Sequence, residues 1–263
     1  MVASGDPEKC GDDVKSQMKR SQRKTQRGFS LLELLLVVLL LSIIVGAVFS
    51  QIERAQIRYR VEDQKVDMTQ QEREFVDQFT RDLHQAGYPS IMMWGGRADR
   101  QYDSNYTAVG LWSISQNGVS MEGDVDGDGI VEEVSYQYYD GVNPPWTGKG
   151  PNPCPCIRRS SAPKQNGQLP WNQPAPQYFT QVQNIIPVAG QPFFLAYGSN
   201  GNVIDTSAPI VLSSTAQNDA TFEEMRSIKG VRITFTLQGI GKDQDTHKTI
   251  QVTMTGMAHL PNN

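Results

Sequence analysis

The sequence lacks the short motifs that mark the common classes of enzyme. It contains no G-x-S-x-G, no H-E-x-x-H and no phosphate-binding glycine loop. The three histidines lie at no spacing that would complete a four-ligand zinc site. We therefore expect a protein that is not an enzyme.

Positive charge is not in excess either, because 24 Lys and Arg stand against 28 Asp and Glu, for a net charge of −4. Nucleic acids bind basic surfaces, which neutralise the phosphate backbone. The composition therefore argues against nucleic acid as a partner.

Residues 29–49 form a long apolar run, with 17 apolar side chains in 21 positions. A helix of about 20 such residues spans the hydrocarbon core of a bilayer. The run is longer than the apolar region of a secretory signal peptide, and no good A-x-A cleavage site follows it. Five basic residues between positions 19 and 27 precede it, which places the N-terminus in the cytoplasm. We predict one membrane-spanning helix at 29–50, with the rest of the chain exported.

Glu33 stands inside this apolar run, four residues after Phe29. A carboxylate in a membrane span costs about 2.5–3.5 kcal/mol near the bilayer centre and less near its edge, so it needs a reason. One interpretation is a polar residue that snorkels to the lipid headgroups. The basic leader that ends in Gly28, the aromatic Phe29 and the Leu/Val run favour a functional carboxylate instead.

The stretch RGFSLLE at 27–33 resembles the N-terminal motif of the type IV pilin family. By this resemblance, a prepilin peptidase cuts between Gly28 and Phe29, removes the cytoplasmic leader 1–28 and methylates the new amine of Phe29. Glu33 becomes the fifth residue of the mature chain, the position at which pilins carry their glutamate. In a polymer of bundled apolar helices, the terminal ammonium and the Glu33 carboxylate are each costly to bury alone and tolerable when paired.

The resemblance also implies the partners and the location of the protein. The partners are the prepilin peptidase, the inner-membrane assembly platform, the major pilin and other minor pilins. The protein is expected as a single-pass inner-membrane protein before assembly and as part of a periplasmic or extracellular filament afterwards. Residues 81–88, Arg-Asp-Leu-His-Gln-Ala-Gly-Tyr, resemble the helix end of PilW-type minor pilins. Two other interpretations stay open: a type II secretion pseudopilin, and a membrane-tethered calcium-binding adhesin or binding module that keeps its leader.

The helix is predicted to continue beyond the membrane, because no proline interrupts residues 29–88. Phe75, Phe79 and Leu83 recur at helical spacing and form one apolar stripe. Gly87 and the proline at position 89 then predict the end of the helix. Its amphipathic half is thus expected at 51–88.

Residues 89–263 predict a β-rich head, since the helical period is lost there. The expected fold is α+β, with the amphipathic half of the helix packed on an antiparallel sheet. The strands are predicted at 106–114, 118–122, 132–139, 178–187, 193–197, 203–205, 228–237 and 248–259. The proline-rich segment 141–177 predicts a long surface loop. It is either a variable decoration or, through Trp146 and Trp171, a recognition surface.

Residues 123–133, GDVDGDGIVEE, resemble the first half of an EF-hand loop, in which alternate carboxylates surround Ca²⁺ and a glycine permits a sharp turn. The twelfth position holds Ser135 rather than glutamate, so the ninth position would have to supply the late ligand. The alternative is a solvent-facing Asp-Gly hairpin turn. Bound calcium would stiffen the loop by neutralising its carboxylates. The candidate ligands are Asp124, Asp126, Asp128, the Ile130 carbonyl and Glu132.

Three cysteines occur in the chain, and Cys10 belongs to the predicted leader. Cys154 and Cys156 remain in the exported part, where a disulfide between them is a candidate and two free thiols are the alternative. A ring of three residues gains little from loop closure, so such a bond would shape the chain only locally.

Overall fold

The computed structural model describes residues 28–94, 104–142, 155–213, 219–242 and 247–263. The described chain divides into two compact units, with the boundary after Ile52. The first helix, α1 (Leu31–Gln85), begins in the first unit and ends in the second. Residues 1–27 of the predicted leader lie outside the described residues.

In the first unit, α1 exposes its apolar side chains from Leu31 onward. The helix is long and apolar enough near its N-terminal end to cross a membrane. Its length follows from a composition rich in leucine and free of proline. The long helix expected from residue 29 is therefore confirmed, with Leu31 as its first residue.

In the second unit, α1 ends at Gln85, three residues before the predicted boundary. Gly87 adopts a positive φ of 78°, and the Tyr88 N–H donates to the Gln85 carbonyl at 2.9 Å. A side chain at Gly87 would also lie 2.5 Å from the Asn262 carbonyl oxygen. Glycine is therefore needed here both for the backbone turn and for the close approach of the chain's last residues.

Six strands form the first sheet, and every pairing in it is antiparallel. Their spatial order is β5-β4-β3-β2-β1-β9. The strands are β1 (Leu111–Ser115), β2 (Gly118–Gly123), β3 (Glu132–Tyr139), β4 (Cys156–Pro163), β5 (Phe179–Gln183) and β9 (Ile210–Val211).

The second sheet has the order β11-β10-β7-β8, and β6 also pairs with β10. A short helix, α2 (Ala220–Ser227), precedes β10, and the Asp219 side chain caps it by accepting from the Thr221 N–H. The strands are β6 (Ile185–Ile186), β7 (Phe194–Gly198), β8 (Val203–Ile204), β10 (Ile228–Lys242) and β11 (Thr249–His259). Short 3₁₀ helices occur at Ile91–Trp94 and Pro170–Asn172.

The end of α1 packs where the two sheets meet, through the predicted apolar stripe. Phe79 lies 5.3 Å from the Tyr136 ring of β3 and 5.9 Å from the Phe194 ring of β7, measured between ring centroids. Phe75 contacts the Phe235 ring of β10 at 5.6 Å. This arrangement confirms the α+β fold, a long N-terminal helix followed by antiparallel sheets.

All eight predicted strand regions contain a strand, but the predicted surface loop 141–177 is wrong in part. Residues 156–163 form β4, which is paired on both sides by β3 and β5. Trp171 is half-buried and packs against the apolar core. Trp146 lies outside the described residues. The strand was missed because its arginines break the apolar alternation that predicts strands.

The two arginines of β4 contact acidic and aromatic partners. The Arg159 Nε donates to Asp82 Oδ2 of α1 at 2.7 Å, and the Tyr136 hydroxyl donates to the same oxygen at 2.6 Å. Burial raises the pKa of Tyr136, so its hydroxyl keeps the proton that it donates. Arg158 lies over the Tyr139 ring, 4.0 Å from its centroid. These contacts let a charged strand occupy a central position.

Glu72 lies about one turn before the apolar stripe of α1. It is fully buried, and no residue that the structure describes hydrogen-bonds either of its carboxylate oxygens. Met68, one turn before Glu72, packs against Gly239. Val76, one turn after Glu72, lies 2.6 Å from where a Cβ of Gly256 would stand. Burial raises the pKa of Glu72 to about 7, because the charged form loses its hydration.

We expect the unfolding free energy of the head to fall as the pH rises from 5 to 8, and Glu72→Gln to remove part of that fall. A carboxyl whose pKa is raised in the folded state stabilises the fold while it is protonated, and this stabilisation is lost as the pH passes through about 7. The difference between wild type and variant should grow by up to about 3 kcal/mol over this range.

Urea unfolding of residues 53–263 at both pH values measures the difference. The exposed Glu74 on the same helix provides the matched control, Glu74→Gln, which should keep the wild-type pH dependence. If the unfolding free energy of wild type and of Glu72→Gln changed equally with pH, the raised pKa of Glu72 would be contradicted.

Candidate assembly segment and carboxylate loop

The predicted cleavage junction lies in non-helical, open backbone just before α1. No atom lies within 4 Å of where a Cβ of Gly28 would stand, and Phe29 is 78% exposed. Cleavage between Gly28 and Phe29 stays a prediction.

Glu33 lies in the first turn of α1, where the Leu34 N–H donates to the Ser30 carbonyl. A carboxylate at a helix N-terminus is stabilised by the free N–H groups and the helix dipole. Its side chain is exposed among apolar residues, and none of the residues that the structure describes forms an ion pair with it. The assembly role of Glu33 stays a prediction.

The family model for the prokaryotic N-terminal methylation motif matches residues 23–49. The matched stretch includes Gly28, Phe29 and Glu33, together with the membrane-length part of α1. It supports a type IV pilin-like N-terminus, processing by prepilin peptidase and single-pass membrane anchoring. Proteins with this motif are structural subunits rather than enzymes. Comparison with curated proteins and with solved structures found no match.

The acidic loop connects β2 to β3, which are adjacent antiparallel strands. It is therefore a hairpin loop, as the alternative to the calcium loop predicted. It also gathers carboxylates. One oxygen each from Asp124, Asp126 and Asp128 lies within 4.8 Å of the other two. Oxygen atoms at such mutual distances can surround a hard cation of the size of Ca²⁺.

Backbone N–H groups hold these carboxylates in place. Asp124 accepts from the N–H of Gly127 at 2.7 Å and from that of Gly129 at 3.1 Å. Asp128 accepts from the Ile130 N–H at 2.7 Å. Both glycines have positive φ, 79° and 87°, which residues with a side chain rarely adopt. The loop shape therefore depends on the Gly residues that separate the acids.

Glu132 is the fourth acid of the loop and the first residue of β3. Its Oε2 accepts from the Val125 N–H at 3.0 Å. Burial, with the nearby charges of the three loop aspartates, raises the pKa of Glu132 to about 7. Ser135, at the twelfth position, donates to the Ser120 hydroxyl within the sheet, so it does not belong to the loop. Glu132 thus bonds to the loop backbone, but the described group of oxygens within 4.8 Å of one another contains the three aspartates without Glu132.

Cys156 begins β4, is fully buried and is disulfide-bonded. Cys154 lies outside the described residues. The free-thiol alternative is therefore wrong for Cys156.

Sequence reasoning missed the buried charged contacts of the head. The pair Asp82–Arg159 is separated by 77 residues and the pair Glu122–Lys164 by 42. No local period or spacing relates residues so far apart, so only the strand order brings them together.

Proposed function

We propose that the chain is a minor pilin, a structural subunit of a type IV pilus or a related filament. The methylation-motif match at 23–49 carries this proposal. The exposed apolar first part of α1 supports it, because such a surface needs lipid or other apolar helices around it. The subunit is inserted in the inner membrane with its N-terminus in the cytoplasm and then joins the major pilin and other minor pilins through the assembly platform.

Cleavage after Gly28 creates the charge that assembly uses. The peptidase removes the leader and leaves a methylated ammonium on Phe29, four residues before Glu33. In lipid, the Glu33 carboxylate has no cation close to it, whereas in the filament the terminal ammonium of a neighbouring subunit neutralises it. Pairing stabilises each buried charge only in the assembled state, so it draws the subunit out of the bilayer and sets its register.

N-terminal sequencing of the mature protein tests this function. We expect N-methylphenylalanine from residue 29 as the first residue. The substitution Gly28→Val should block cleavage, because a branched side chain then stands beside the scissile bond, while Gly46→Ala within the same segment should leave cleavage unchanged. An intact leader on the assembled, working protein would contradict the pilin function and favour a membrane-tethered binding module.

We also propose that the acidic loop binds calcium and that the ion stabilises the head. The three converging aspartate oxygens and the buried Glu132 support this second role. Asp124, Asp126, Asp128, the Ile130 carbonyl and Glu132 would hold the ion. Neutralising four carboxylates that repel one another would stiffen the β2–β3 hairpin. Calcium-dependent stability would suit a pseudopilin of type II secretion as well as a pilin.

Calcium should raise the melting temperature of residues 53–263, which form a compact unit. A ligand at 100 times its dissociation constant stabilises the folded state by about 2.7 kcal/mol. Asp128→Asn should remove most of the shift, and Asp77→Asn on the exposed face of α1 should not. No shift at millimolar calcium would contradict the site.

A further inference from the structure

A lysine and two glutamates form a buried cluster on the side of the first sheet opposite Tyr136. Glu122 of β2 and Glu133 of β3 are direct cross-strand partners, and Lys164 follows the last residue of β4. The side chains of Glu122 and Lys164 are both 0% exposed. Two acids and one base are thus excluded from water at one place in the head.

The contacts of Glu122 are unequal at its two oxygens. Oε2 lies 3.0 Å from Lys164 Nζ and accepts from the Val109 N–H at 3.0 Å. Oε1 is buried, and no residue within the described part of the chain hydrogen-bonds it. Lys164 Nζ also donates to the Thr107 carbonyl at 3.1 Å. A buried carboxylate oxygen without a donor is costly, so an ion pair leaves one atom of this cluster unsatisfied.

We propose that Lys164 and Glu122 form an intramolecular isopeptide bond in the folded protein. Lys164 Nζ attacks Glu122 Cδ, the Nζ–Cδ bond forms, and the Cδ–Oε1 bond breaks. Oε1 leaves as water, and both hydrogens of that water come from the lysine ammonium. The step therefore balances in atoms and charge and needs no oxidant or other reactant.

The product would satisfy every polar atom of the bond. Oε2 becomes the amide oxygen and keeps the Val109 N–H, while the remaining N–H keeps the Thr107 carbonyl. The oxygen that lacks a donor is lost, and two buried charges disappear with it. The fold holds the reacting groups in contact, which raises their effective concentration, and the lack of water around them protects the amide from hydrolysis.

The bond would join β2 to the end of β4 across 42 residues of chain. It would therefore bridge three neighbouring strands of the first sheet, β2, β3 and β4. Strands linked in this way cannot separate fully when the head is pulled or heated, which suits a protein that works outside the cell.

Mass spectrometry of the full chain, purified from membranes, reduced and denatured, tests the proposal. We expect a tryptic product that joins the segment containing Glu122 to the segment containing Lys164, lighter by one water than the two together. Trypsin should not cleave after Lys164. The exposed pair Lys65–Glu62 has the same 3.0 Å separation and is the internal control, which should stay unlinked and be cleaved at Lys65.

Variants then assign the roles. Lys164→Arg and Glu122→Ala should abolish the linked product. The decisive measurement uses the denatured wild-type chain, so it does not depend on whether a variant folds. Wild-type protein with an unlinked Lys164 that trypsin cleaves would overturn the proposal.

Discussion

Replacing Glu33 by alanine is expected to leave membrane insertion intact and to reduce incorporation into filaments by more than about tenfold. Removing one member of a buried charge pair leaves the other charge uncompensated, which costs about 3–5 kcal/mol. The alanine also makes the membrane segment more apolar, so insertion itself should not suffer. The substitution should therefore favour membrane insertion while it disfavours filament incorporation, so the variant distinguishes the two steps.

Immunoblots of sheared filaments and of membranes measure how much of the protein is in filaments and how much is in the membrane. Ser42→Ala is the matched control, because Ser42 is another polar residue of the same segment and its hydroxyl donates to the Val38 carbonyl of its own helix. This control should enter filaments normally. Normal incorporation of Glu33→Ala would contradict charge pairing as the assembly mechanism, even if cleavage after Gly28 takes place.

Phe79→Ala is expected to destabilise the head by about 3–5 kcal/mol, the usual cost of removing a buried aromatic ring. Phe79 is fully buried and contacts Phe75, Tyr136 and Phe194, which lie on α1, the first sheet and the second sheet. The cavity would therefore open at the junction of all three elements. Such a loss is a large part of the stability of an ordinary domain.

Urea unfolding of residues 53–263 measures the loss. Tyr59→Ala provides the control, since Tyr59 is an aromatic residue of the same helix and is 77% exposed. It should change the unfolding free energy by less than about 0.5 kcal/mol. Equal effects of the two substitutions would contradict the packing of α1 on the sheets.

Patterns in the sequence were sufficient for elements whose apolar residues follow one period. The helix was predictable because its first part is almost wholly apolar and its second part places Phe75, Phe79 and Leu83 on one stripe. The long strands β10 and β11 were predictable because their apolar and polar residues alternate. In each case the local period already shows which side is buried.

The period of apolar residues does not predict a strand or helix whose buried side chains are charged. β4 contains Arg158 and Arg159. The first lies over an aromatic ring of β3, and the second donates to Asp82 of α1. Without those partners the segment looks like a solvated loop. The short helix α2 was missed for a related reason, because one turn or two of helix carries too few residues to establish a period.

The acidic loop lies between these two cases. Its spacing identified Asp124, Asp126 and Asp128 before any coordinates, and the structure brings their oxygens together. The spacing also named Glu132, at the ninth position, as the late ligand. The start of β3 buries Glu132, bonds its Oε2 to the Val125 N–H of the loop and turns Ser135 toward Ser120 in the sheet, while calcium binding itself stays a proposal.

The sequence by itself determined the membrane-length apolar segment and the helix, because each depends on neighbouring residues in one stretch of chain, and it predicts the processing junction in the same way. Only the tertiary structure decided which charges of the head are buried together, including Glu122 with Lys164. These pairs arise from strand order, and strand order is the result of burying both sheets against one helix. Local composition therefore does not predict the strand order, because the free energy that selects it comes from the packed core as a whole.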